Sequence, residues 1–167
     1  MRRLEVLRHL RSLNDVVLVL RIFGFAVAVP WLVRRKLSTV ATVLEPTHAP
    51  LTPEPASIHK IAGYVDLVLR VGRPLIRPGC LTRGLTLYYF LSRAGLDVTL
   101  CFGMGNVGGT YVGHCWVAKD GEPFLEARDP RPVFTVVYSF PDERPSRGSD
   151  SHGLGGGHGR DDMARRS

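Results

Sequence analysis

The chain has few cysteines. Cys80, Cys101 and Cys115 are the only three, and three cannot all pair with one another. No spacing among them resembles a disulfide framework, which excludes a stapled secreted scaffold and favours a reducing, cytoplasmic compartment. No C-x-x-C occurs, and His114 and Cys115 would point to opposite faces of a strand, so no zinc site is expected. Zinc-finger spacing and aromatic RNA-binding motifs are absent too, which sets nucleic acid aside as a partner despite a net charge of +7. That charge is itself missing from most of the chain. Residues 1–36 carry eight Lys/Arg against two carboxylates, residues 37–140 nine against eight, and residues 141–167 five against five. The excess is an N-terminal feature, suited to an acidic partner or an anionic membrane. There is no internal repeat, and 167 residues with 44% apolar and 22% charged composition fit one globular domain.

Long hydrophobic runs are scarce as well. Only VVLVLRIFGFAVAVPWLV, residues 16–33, is a candidate membrane segment. Its length is near the minimum for spanning, Arg21 interrupts it, and Pro30 would break a helix. No small-residue cleavage site separates it from Arg34-Arg35-Lys36, so a signal peptide fits poorly. The expectation is a pair of helices packed on the domain, with membrane association through this segment as the alternative.

The remaining pattern divides the chain in three. Residues 1–55 form a basic and apolar helical segment closed by the Pro-rich linker EPTHAPLTPEP (45–55). Residues 56–140 hold the α+β domain, and residues 141–167 lack apolar periodicity and read as a disordered tail. Within the domain, Ile58, Ile61, Val65, Val68 and Leu69 predict an amphipathic helix over 56–70. Pro74 and Pro78 then hold the chain extended up to Gly79-Cys80. Leu81 to Ala94 reads as a central helix, buried on most sides, with Arg83 and Arg93 at its exposed edges and Gly95 as its stop. Strands are expected over 98–102, 111–118, 123–127 and 133–138, with GMGNVGG (103–109) a loop and Asp120-Gly121 a hairpin turn.

Cys80 follows Pro-Gly and stands where the central helix begins. A thiol there lies at the positive end of the helix dipole, among unpaired backbone N–H groups able to hold an oxyanion. Cysteine is also a common small core residue, and position alone does not separate the two readings. His114, in the strand YVGHCWV, supplies the second half of a thiol–imidazole pair: the sulfur attacks a carbonyl while the imidazole moves the proton. A carboxylate would orient that imidazole. A two-residue Asp120-Gly121 loop sets His114 opposite Ala127. A three-residue Lys119-Asp120-Gly121 loop sets it opposite Glu126 and leaves Asp129 on the wrong face. The second register is the one adopted, with Glu126 as the third residue and Asp129 in reserve. Cys101 and Cys115 are expected to be packing residues on strands.

PGCLTRGLTLYYFLSRAGLDVTLCFGMG followed by GHCWVAKDGEPFLE resembles the lasso-peptide leader peptidases, the microcin J25-processing type of transglutaminase-like proteins. That family shows a Cys opening an L-x-R-x-L-x-L-x-x-x-L-x-x-x-G helix, matched here by Cys80, Leu81, Arg83, Leu85, Leu87, Leu91 and Gly95. A His-Ala-Trp-Val strand and a D-G turn follow, matched by His114, Cys115, Trp116, Val117, Asp120 and Gly121. The family's acidic residue, twelve positions after its His, falls on Glu126. Cys115 stands where Ala is usual, and Glu where Asp is common in related triads. The resemblance covers residues 60–128 closely.

The resemblance implies a papain-related, transglutaminase-like cysteine protease core with a Cys80–His114–Glu126 triad and no cofactor or metal. The implied reaction removes the leader from a ribosomally made precursor peptide, exposing an amine that a separate asparagine-synthetase-like enzyme joins into a macrolactam. Residues 1–55 lack the strand alternation of the leader-binding module fused in some members, which implies a separate small leader-binding protein. Two other classes remain beside this one: an acyltransferase using the same Cys-His pair with an amine acceptor, and a non-catalytic peptide-binding module in which Cys80 is core.

Overall fold

The computed structural model describes residues 12–35, 37–45, 55–73, 75–77 and 79–141. The tail beyond Pro141, the linker residues 46–54, Pro74 and Pro78 lie outside the described residues, and so do the expectations that fall on them.

Helix α1 spans Leu13–Leu32, and Ser12 caps it by accepting a hydrogen bond from the Asn14 N–H at 3.3 Å. Its buried positions, Asp15, Ile22, Ala26 and Val29, form one stripe that packs on the two long helices that follow. Buried Asp15 is neutralised by an ion pair with Lys60. The break expected at Pro30 does not occur. Pro30 falls in the last turn, where only one ladder bond is lost, and the Val33 N–H still reaches the Val29 carbonyl at 3.0 Å. By length and composition α1 could cross a membrane, with a mean hydropathy of 2.0, but core helices and signal sequences pass the same test. Leu13, Val17, Leu20 and Trp31 remain exposed on its outer side.

The short helix α2 (Leu37–Leu44) and helix α3 (Pro55–Val71) follow. Pro55 takes the first helical position, where a missing N–H costs nothing. Ile61, Val65, Val68 and Leu69 of α3 enter the same core as Ile22, Ala26 and Val29. Helix α4 (Cys80–Arg93) is the centre of the molecule, with Leu85, Leu87, Tyr88 and Leu91 nearly or wholly shielded from solvent. Gly95, at φ +89°, ends it. The Leu96 N–H donates to the Leu91 carbonyl and the Gly95 N–H to that of Ser92, which is the paired bonding of a glycine-stopped helix.

Four antiparallel strands complete an α+β fold: β1 Thr99–Val107, β2 Thr110–Lys119, β3 Glu122–Phe124 and β4 Thr135–Phe140, in the order β3-β2-β1-β4. Two expectations are corrected. The stretch expected as a loop over 103–109 is mostly strand. Val107 pairs with Thr110, and Gly108-Gly109, both at positive φ, make the whole turn. Gly103 and Gly105 are needed for room rather than for a turn. A Cβ at Gly103 would lie 2.7 Å from the Trp116 ring, and one at Gly105 would lie 2.2 Å from the Val133 carbonyl oxygen. The second hairpin closes through the two-residue Asp120-Gly121 turn, with Lys119 opposite Glu122, and not through the three-residue loop. Asp120 at φ +52° and Gly121 at φ +78° satisfy the tighter turn, which matches the twist of the strands.

Candidate active site

Cys80 is the first residue of α4, preceded by Gly79 in extended conformation. Gly79 has no side chain to cap the amides of the first turn, and such N–H groups have no intrahelical partner. The approach is fixed by Thr82, whose hydroxyl donates to the Arg77 carbonyl at 3.0 Å. The Cys80 side chain is half-buried, against the main core on one side and open to a cleft on the other.

One turn further along, Arg83 gathers three groups. Its Nε donates to Asp66 of α3 at 2.9 Å, its Nη1 to Glu126 at 2.8 Å, and its Nη2 to the Leu125 carbonyl at 2.8 Å. This planar fork fixes the helix bearing Cys80 to α3 and to the segment after β3. The exposed edge expected for Arg83 is therefore corrected: it is a partly buried connector. The signal was an Arg one turn after Cys80, in a helix whose other arginine, Arg93, stands at its far end.

The same Glu126 carboxylate turns its other oxygen to His114, with Nε2 3.7 Å away. The side chains of His114 and Glu126 are 25% and 15% exposed, so the pair is sheltered yet open to solvent. It forms although the hairpin has the register that was expected to oppose His114 to Ala127. β3 ends at Phe124, opposite Val117, and Leu125 takes φ +58°, which throws Glu126 out of the strand and back toward β2. Asp129 is engaged elsewhere. It binds Arg131 through both oxygens and accepts from the Arg131 N–H, and this guanidinium holds its carboxyl below the usual range.

The His114 ring is set by aromatic neighbours. It stacks on Trp116 at 5.7 Å between centroids and tilts against Phe134 at 5.0 Å. Gly103, paired with His114 across the sheet, leaves the space that Trp116 and Phe134 fill. Neither Gly103 nor Phe134 was singled out from sequence, since only the tertiary fold brings them to the imidazole. Cys115, on the opposite face of β2, packs on α4, and an added Cβ at Gly84 would lie 2.8 Å from its sulfur. Burial pushes its thiol well up, with smaller contributions from Cys80, Cys101 and Glu126. Cys101 is also buried, so both play the packing part expected of them.

His114 and Glu126 are thus brought together, and Arg83 ties them to the turn that begins at Cys80. Among the described residues no hydrogen bond joins Cys80 to His114. With Nε2 directed at Glu126, Nδ1 is the nitrogen left for a thiol. A half-open thiol at an uncapped helix start, joined through Arg83 and Glu126 to the element that bears an imidazole, has the groups that attack on a carbonyl needs, with backbone amides to receive the oxyanion.

The profile of the transglutaminase-like superfamily matches residues 19–139, well over half of the chain. No curated protein matches the chain, and no solved structure does.

Proposed function

The chain belongs to the transglutaminase-like superfamily, and from that premise we propose that it is a cysteine peptidase with Cys80 as nucleophile, His114 as base and Glu126 orienting the imidazole. The observation that carries this reading is the Glu126 carboxylate, held by Arg83 at 2.8 Å and lying 3.7 Å from His114 Nε2. It links the helix turn of Cys80 to the imidazole. Catalytic hydrogen bonds in unliganded sites are often long and tighten with substrate, so convergence is what the reading needs.

The reaction runs in two halves. His114 takes the Cys80 proton, the sulfur bonds to the scissile carbonyl carbon, and the oxyanion rests on the first amides of α4. The C–N bond then breaks as His114 returns the proton to the amine, leaving a thioester. Water, deprotonated by the same imidazole, adds to the thioester carbonyl, and the C–S bond breaks to give a carboxylate and the free thiol. Glu126 stabilises the imidazolium in both halves.

Following the resemblance of residues 60–128, the substrate is the leader region of a ribosomally made lasso-peptide precursor. A separate small leader-binding protein presents it, and an asparagine-synthetase-like synthetase takes the freed amine into a macrolactam. One observation favours a second reading, a non-catalytic peptide-binding module: Cys80 packs partly into the main core. Incubation of a precursor and its leader-binding protein in ¹⁸O-water, with an added small amine, tests the assignment. The peptidase gives a new carboxylate carrying the label. An acyl fragment ending instead in an unlabelled amide of the added amine would make the chain an acyltransferase, and an uncut precursor would favour the binding module.

A further inference from the structure

A cleft of about 280 Å³ opens beside Cys80, walled by Arg70, Arg73 and Arg83 with Asp66 and Leu69. Arg70 also ends a second groove, about 430 Å³, that runs along α3 past His59, Gly63 and Leu67, with Lys60 and Tyr64 on its flank. The two share Arg70, so together their linings follow α3 toward the thiol. The charges on this path do not cancel. Lys60 is paired with Asp15, and Arg83 with Asp66 and Glu126. Arg70 and Arg73 are exposed and have no carboxylate partner among the described residues. Two guanidiniums are left over where a peptide must pass to reach Cys80. Arg70 also lies in the last turn of α3, where a cation complements the helix dipole. Arg73 lies beyond the helix and has no such structural use.

We propose that this path along α3 binds an acidic stretch of the substrate peptide, with Arg70 and Arg73 taking carboxylates close to the scissile bond. The proposal rests on the peptidase reading and adds the chemistry of the substrate to it. Planar guanidiniums suit carboxylates in bidentate pairs, and charges lining a concave wall raise the local concentration of an oppositely charged ligand. Gly63 makes the path testable without disturbing the fold. A Cβ added there meets nothing within 4 Å, so a large side chain would stand in the groove and not in the core. Replacing a mid-helix glycine also favours the helix.

The test uses the full chain carrying Cys80→Ala, to stop turnover, and three fluorescent twelve-residue Ser/Gly peptides bearing three Glu, three Gln or three Lys. Anisotropy at low salt should rank Glu above Gln above Lys, with Glu over Gln by roughly three- to tenfold for two partly exposed pairs. Raised salt should narrow the gap. Arg70→Glu with Arg73→Glu should invert the order, and Gly63→Phe should weaken all three peptides with no loss of helical signal. Arg21→Glu, the same reversal at one exposed position of α1 away from the path, should leave the ranking as it was. Equal affinity for the Glu and Gln peptides, or a ranking untouched by the double reversal, would overturn the proposal. So would vesicles of anionic lipid that bind through Arg70 and Arg73 while the peptides do not. Failure of the peptidase reading looks different: the Glu preference would hold while the unmodified enzyme cut nothing. If the enzyme cut its precursor with no charge preference, the proposal would fall and the peptidase reading would stand.

Discussion

Gly84→Ala probes the contact on which the site is built. The glycine lies one helical turn after Cys80, and its missing side chain lets α4 close on β2 next to His114. An added Cβ would sit 2.8 Å from Cys115 Sγ, 3.3 Å from Leu100 Cδ1 and 3.4 Å from the Cys115 carbonyl oxygen. Leu100 and Cys115 are both buried, so the neighbours have little room to give. Overpacking of this kind costs about 1–3 kcal/mol, offset by roughly 0.5–1 kcal/mol from replacing a helical glycine. Cys115→Ala removes the closest atom and restores the residue usual in the family the chain resembles. Alone it should cost about 1 kcal/mol as a small cavity. Together the two substitutions should be far from additive, because the Cβ of residue 84 enters the space vacated by the sulfur. The expected coupling is about 1–3 kcal/mol in favour of the double variant, read as the midpoint of urea unfolding at unchanged slope. Peptide cleavage should follow, impaired in Gly84→Ala and recovered in the double variant. An equal cost for Gly84→Ala in both backgrounds would refute the described helix–strand contact.

Glu126→Gln should lower cleavage by about tenfold or more, because the amide cannot stabilise the imidazolium and can hold the wrong tautomer, whereas Asp129→Asn should stay within about threefold. A crippled Asp129→Asn would move the carboxylate role to Asp129. Arg83→Met should cost about 1.5–3 kcal/mol by leaving Asp66 and Glu126 without their shared cation, and should lower cleavage with it; stability and rate both unchanged in urea and kinetic assays would show that the fork is idle. Because burial raises the Cys115 thiol, that group stays protonated and inert from neutral to mildly alkaline pH. A thiol alkylator at pH 7 should therefore label native protein at Cys80 before Cys115, as peptide mass spectrometry would read. First labelling at Cys115 would contradict its place in the core.

Much of the frame was legible in the sequence because local physics set it. The 3.6-residue apolar period of residues 58–69 predicted α3, the apolar run from Leu81 to Ala94 predicted α4, and Gly95 stops α4 by the expected paired bonds. The misreadings have tertiary causes. Gly103 and Gly105 looked like loop residues, yet they are strand positions where Trp116, Phe134 and Val133 approach too closely for a Cβ. The hairpin register was misassigned although Glu126 still meets His114. The positive φ of Leu125, unexpected for a bulky residue, redirects the chain after only three residues of β3. Arg83 gave no hint of its partners, because Asp66 and Glu126 lie 17 and 43 residues away in sequence.

The most direct test of the account is precursor cleavage by Cys80→Ala and His114→Ala, followed by mass spectrometry of the products beside unmodified enzyme. Both variants should keep the helical signal and unfolding midpoint of the parent to within about 1 kcal/mol, since neither group is fully buried. Both should lose cleavage by a thousandfold or more, on the order seen when members of one catalytic unit are removed. Cleavage by either variant at near the parent rate would contradict the mechanism.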